Sequence, residues 1–258
     1  MLSAEQVAFY RENGYLLVPG LLTPAEASEY RQECHSLAER LSRERNIDAT
    51  WGSAREAAGG SRDTVILHCH DTQFHSAAFT RLLVDPRFVQ AASELLGSPN
   101  VQLHHTKMFI KPPEKGSPFP MHQDYPYFPH ERHTMMAAIF FFDDAPEEKG
   151  CVRVYPGSHR LGPLEHSPEG GWHLPVDEYP LEKAVSCPAR AGDVLFFSYL
   201  TIHGSGLNTS SEPRTTLLVQ FRDPEDRPTQ DVHQSRGQGM MLAGIDPLLP
   251  LTGPGTGP

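Results

Sequence analysis

His122 and Asp124 stand one residue apart, and about eighty residues later His203 is followed, eleven positions on, by Arg214. Two residues separated by one on an extended chain point to the same side, so His122 and Asp124 can reach one ion while Gln123 turns away. The third ligand, His203, is then expected from a strand across the barrel. Two imidazoles and one carboxylate on adjacent coordination positions suit Fe(II) and leave three positions open for O2 and an organic co-substrate. Arg214 adds a planar, permanently charged fork that can hold a carboxylate through two parallel hydrogen bonds. An isolated H-x-D pair is common by chance. Joined to His203-Gly204-Ser205-Gly206 and Arg214, it describes a metal centre beside an anion clamp.

The same period of two names further candidates. Ser205 shares a face with His203, which brings its hydroxyl beside the metal. Gln220 and Arg222 share a face with Arg214; Arg222 is the better candidate for a structural pair with Asp223 or Asp226. Lys107 stands in mid-strand on the face of His105 and Phe109, and a buried ammonium there needs an anion within reach. The alternative is an edge-strand lysine that guards against aggregation. His68 and His70 share a face and read as site wall or packing. His104 and His105 are expected to point to opposite faces and not to chelate together, and His130 and His133 read as loop residues. Tyr127, just after the H-x-D pair, is placed to line the entrance, and Trp172, in a long insertion over 160–183, to cover it, although both could pack on the exterior. With Gln220 and His105 they are the candidate substrate contacts.

Such residues need a rigid scaffold. Ser3 with Gln6 is a capping-box pattern opening a helix that Gly14 ends, 15–18 reads as a strand, and Thr23-Pro24 opens a helix to about Arg45. Residues 46–63 read as a mobile loop, with Trp51 a further candidate cover, and helical patterns return at 75–84 and 87–96. From Val101 on, short apolar or alternating runs appear at 101–111, 135–142, 151–155, 184–187, 193–197, 202–207 and 214–222, punctuated by turn residues. Regular short strands of this kind predict a mainly β protein with flanking helices, built as a two-sheet barrel or jelly roll. The expected organisation is one domain over 1–246, mostly helical to 100 with a β core over 101–222, and a flexible tail over 247–258.

Composition narrows the function classes. The chain has 258 residues and a formal net charge of −10 without any basic stripe, which argues against a nucleic-acid partner. No apolar run reaches the length of a membrane span. The four cysteines are scattered, which reads as reduced thiols in a cytoplasmic protein. The sequence leaves the oligomeric state open.

The chain resembles the phytanoyl-CoA dioxygenase family of Fe(II)- and 2-oxoglutarate-dependent oxygenases. The resemblance rests on Lys111-Pro112-Pro113, Pro120-Met121-His122-Gln123-Asp124, Tyr127-Phe128-Pro129, Gly150-Cys151, Pro156-Gly157-Ser158-His159, the Gly192–Phe197 run, Ile202–Gly206 and Arg214. It implies a double-stranded β-helix, a cupin-like jelly roll. It also implies iron ligands at His122, Asp124 and His203, and a 2-oxoglutarate clamp at Arg214 with Ser205 beside it. Lys107 falls where the family touches the co-substrate and Phe140 where it has an aromatic pocket wall, both with a change of residue type from the founding member. The turn at Pro156–His159 reads as structural. Because Asp124 is present, hydroxylation with release of succinate and CO2 is expected rather than halogenation. The competing readings are a cupin-type metalloenzyme independent of 2-oxoglutarate and a non-catalytic binder of metal or 2-oxoglutarate.

Overall fold

The computed structural model describes residues 1–44, 48–49, 66–167 and 172–249. Its helices begin where side chains can serve the first unpaired amides. Ser3 Oγ accepts from the Gln6 amide at 3.2 Å while Gln6 Oε1 accepts from the Ser3 amide at 2.8 Å, opening α1 (Ala4–Asn13). Gly14 closes α1 in the left-handed region at φ 77° and leads into β1 (Tyr15–Val18). Thr23 and Glu26 repeat the reciprocal cap at α2 (Pro24–Glu44). After β2 (Asp48–Ala49) and β3 (Ile66–His70), α3 (Ala77–Leu83) and α4 (Pro86–Leu96) start on Ser76 and Asp85. Trp51 and most of the expected loop over 46–63 lie outside the described residues, as does the tail beyond Leu249.

The β core follows as β4 (Val101–Lys111), β5 (Phe119–His122), β6 (Met136–Phe141), β7 (Val152–Val154), β8 (Val185–Cys187), β9 (Val194–Ser198), β10 (His203–Ser205), β11 (Arg214–Arg222) and β12 (Met241–Ala243). An eight-stranded antiparallel sheet runs β1-β9-β6-β11-β4-β3-β2, with β12 beside β4, and a four-stranded sheet runs β5-β10-β7-β8. This is the expected jelly roll with helices on one side. Alternation along β11 shows how the layers are filled. Leu217, Val219 and Phe221 enter the apolar layer shared with α2, α3 and α4, while Arg214, Thr216, Leu218 and Gln220 line the cavity between the sheets.

Two expectations fail on this alternation. Phe140 was expected as a pocket wall, but its ring packs 5.1 Å from Phe88 of α4 in the helix-facing layer; its neighbour Ile139 is the residue that lines the cavity. The offset is one residue, which in a strand exchanges faces. His104 and His105 were expected on opposite faces. Opposite them, β11 steps from Gln220, paired with His105, directly to Phe221, paired with Leu103, so His104 is the extra residue of a β-bulge. Before it Val101 and Leu103 face the helices; after it Met108 and Ile110 do. Both histidines therefore turn to the same side, with their Nδ1 atoms 2.7 Å apart.

Candidate active site

The register between β5 and β10 places His203 directly opposite His122. The second histidine thus comes from the adjoining strand of the same sheet, not from across the barrel as expected. Directly opposed antiparallel residues hold their Cβ atoms about 4.5–5.5 Å apart, and these two rings have centroids 4.3 Å apart. Asp124 lies past the end of β5, where its amide donates to Tyr199 O at 2.9 Å. Gln123 pins this bend. Its Nε2 donates to Gly162 O and Leu200 O at 2.9 and 2.7 Å, and its Oε1 accepts from the Leu164 amide at 2.9 Å.

Nδ1 of His122 lies 2.8 Å from Pro120 O and Nδ1 of His203 lies 3.0 Å from Thr201 O. A carbonyl only accepts, so each Nδ1 carries a proton, and in the neutral ring Nε2 is then the ligand atom. These Nε2 atoms sit 3.6 and 3.7 Å from Asp124 Oδ1. Burial lowers the His203 pKa to about 4, with His122 adding to the effect, so its ring is neutral at neutral pH. Burial works against a charged Asp124, yet His203, His122 and Gln220 together hold its carboxyl below the usual range. Gln220 Nε2 donates to Asp124 Oδ2 at 2.6 Å, which leaves Oδ1 turned towards the histidines. Two imidazoles and an oriented carboxylate form a donor set that fits a divalent first-row metal.

A cationic corner adjoins this set. Arg214 and Lys111 are paired across β11 and β4 and are both buried. Among the described residues neither forms an ion pair with a carboxylate. Arg214 Nη1 donates to Gly150 O, and its Nε is buried without a partner. Lys111 Nζ donates to Ser205 Oγ and Gly206 O, each at 2.7 Å. Burial pushes the Arg214 pKa down to about 10, and burial together with Arg214 pushes that of Lys111 well down. Such charges are costly unless an anion joins them.

The cavity of about 240 Å³ between the sheets is lined by His122, Asp124, His203, Ser205 and Arg214, and equally by His105, Lys107, Tyr127 and Gln220. Lys107 is buried, which lowers its pKa to about 8 against the opposing pull of Asp124. Trp172 does not line the cavity. It is 47% exposed and touches Tyr127 of the cavity wall, whose hydroxyl donates to Trp172 O at 3.3 Å. Arg222 stays out as expected, but its Nη1 donates to the backbone carbonyls of Asp223, Pro224 and Asp226 rather than to carboxylates. His130 and His133 are more than loop residues. His130 is buried and His133 Nδ1 lies 2.6 Å from the Tyr199 hydroxyl. Sequence reasoning missed Lys111, Gln123 and His233. The first carries a periodic signal, since it sits four residues after Lys107 on the same face; the other two depend on loop geometry.

Comparison with known proteins places this geometry in a family. The family described as Phytanoyl-CoA dioxygenase (PhyH) matches residues 10–216. The peroxisomal phytanoyl-CoA dioxygenase of Bos taurus is 30% identical over 241 residues, covering 86% of this chain and 69% of that one. The L-proline trans-4-hydroxylase of Streptomyces griseoviridis is 27% identical, covering 86% of this chain and 87% of that protein. Among solved structures, the epimerase SnoN in complex with Fe3+, alpha ketoglutarate and nogalamycin RO superposes with a TM-score of 0.70 at 27% identity, covering 94% of this chain and 96% of that one. The chain belongs to the phytanoyl-CoA dioxygenase family and is an iron- and 2-oxoglutarate-dependent dioxygenase.

Proposed function

We propose that the protein hydroxylates an unactivated C–H bond of a small molecule, with iron held by His122, Asp124 and His203. Arg214, with Lys111 and Ser205 beside it, would hold the distal carboxylate of 2-oxoglutarate. The observation that carries this reading is the pairing of a two-histidine, one-carboxylate donor set with a buried guanidinium and a buried lysine amine that have no carboxylate partner among the described residues. When bound, iron with 2-oxoglutarate and O2 supplies the oxidising power, at the cost of decarboxylating the co-substrate to succinate and CO2.

The chain's own part is positioning and exclusion of water. The carbonyls of Pro120 and Thr201 fix the histidine tautomers, and Gln220 fixes the carboxylate. The remaining wall, with His105, Lys107, Tyr127 and Phe128, would receive the substrate and hold one C–H bond towards the metal. A cavity of about 240 Å³ favours a compact substrate, or a larger one that inserts only its reacting end.

The test incubates the protein with Fe(II), ascorbate, 2-oxoglutarate and a panel of compact organic substrates. Succinate and the mass of the product are then measured. Stoichiometric succinate with a product one oxygen atom heavier is the expected result. Succinate with an isomeric product would replace hydroxylation by an epimerisation such as SnoN's name describes, and absence of succinate across the panel would remove the reading.

A further inference from the structure

Fourteen histidines are more than one metal centre uses, and six of them gather at one end of the cavity. His68 and His70 on β3, His104 and His105 on β4, and His130 and His233 in connecting segments form a continuous cluster with ring centroids 4.5–6.1 Å apart. The bulge in β4 makes this cluster, because a regular strand would send His104 and His105 to opposite sides. His233 arrives from the connection between β11 and β12 on left-handed backbone, at φ 50°. A residue with a Cβ holds that conformation only against a steric cost.

We infer that His104, His105 and His233 form a second metal site, separate from the triad, for a late first-row divalent cation such as Zn2+. Their candidate donor atoms all lie within 4.8 Å of one another. Three imidazoles are a set that zinc uses in tetrahedral sites, with a fourth position to fill. Burial keeps all three rings from protonating: the pKa of His104 falls to about 3, and those of His105 and His233 are also lowered. Neutral rings present lone pairs, as a metal requires.

The Nδ1 atoms of His104 and His105 are 2.7 Å apart, so one donates its proton to the other. A cation would replace that proton, and the two atoms would separate towards the roughly 3.4 Å that tetrahedral Zn–N bonds of ~2.0–2.1 Å require. His130 supplies an independent sign that the cluster is incomplete. Its Nδ1 lies 2.8 Å from Phe128 O, which leaves Nε2 as an acceptor, and that Nε2 is buried with no partner. The His130 ring lies 5.7 Å from that of His104. Filled, the site would clamp the β11–β12 connection onto β4 where His105 and His233 line the cavity.

The test is metal stoichiometry. The full chain, stripped with chelator, is dialysed against micromolar Zn2+ and bound zinc is measured by plasma mass spectrometry. Two equivalents are expected for the unaltered chain, one for His122→Ala and one for His233→Ala, with none in the double variant. One equivalent in the unaltered chain overturns the site, and so does a second equivalent that survives both His233→Ala and His105→Gln. Should the variants unfold, Co2+ titration of the unaltered chain still decides. A tetrahedral tri-imidazole centre absorbs strongly in the visible and the six-coordinate triad only weakly, so the absence of the strong band after two equivalents overturns the proposal. Neither readout depends on turnover, so the second site and the hydroxylase reading can fail separately.

Discussion

Lys111 shows what a single side chain can reveal. It is fully buried, paired with Arg214 on the neighbouring strand, and donates to Ser205 Oγ and Gly206 O. Nothing among the described residues neutralises the pair, so the arrangement is stable only if a dianion completes it or if Lys111 gives up its proton. The first alternative makes a prediction. Lys111→Met keeps the stem and removes the charge, so the 2-oxoglutarate KM should rise on the order of tenfold or more, as expected when a charged hydrogen bond worth about 1.5–3 kcal/mol is lost. The metal affinity should stay within twofold, because Lys111 donates to the Ser205 and Gly206 groups and to none of the triad. Steady-state kinetics with varied 2-oxoglutarate and an iron titration separate the two effects. An unchanged KM would assign Lys111 to the fold alone.

At the scale of elements, much of the molecule was legible because its strands alternate and its helices are capped. The runs at 101–111, 135–142 and 214–222 correspond to β4, β6 and β11 within a residue or so. What escaped the sequence has two physical origins. Alternation gives a face only relative to a register, and the Phe140 expectation landed on the helix side for that reason. A bulge adds one residue without any composition signal, so the shared side of His104 and His105 stayed hidden. The triad was legible from residue types, whereas Gln220's grip on Asp124 required knowing that β11 passes beside the bend after β5. The correction at Phe140 can be tested. Phe140→Ala should destabilise the protein by about 3–5 kcal/mol, the usual cost of emptying an aromatic site in a packed core. Its 2-oxoglutarate KM, measured below the melting range, should not change. A raised KM with unchanged stability would return Phe140 to the cavity wall.

Taken whole, the molecule is acidic outside, with a net charge of −10, and cationic or imidazole-rich inside. Buried neutral imidazoles tie folding to pH. Burial lowers the pKa of His68 to about 4 and of His70 to about 3, with Lys107 adding to both shifts, and burial lowers that of His104 to about 3, with His233 adding to it. In the unfolded chain each returns to about 6.5. As pH falls below about 6.5 the unfolded state therefore takes up protons that the folded state refuses, and stability declines with every step. These groups leave stability intact above pH 6.5 and erode it between 6.5 and about 3–4. Carboxylates held low act in a different window: Glu26, whose bonds to Arg87 depress its pKa to about 2, loses its contribution only as pH falls from about 4.5 towards 2. Chelator-treated protein should show a melting temperature that falls steadily from pH 6.5 to 4. His70→Leu should flatten that decline, since leucine fills the space and has no proton to refuse. If the variant and the parent lose stability at the same rate between pH 6.5 and 4, His70 is not among the groups whose burial links folding to protons.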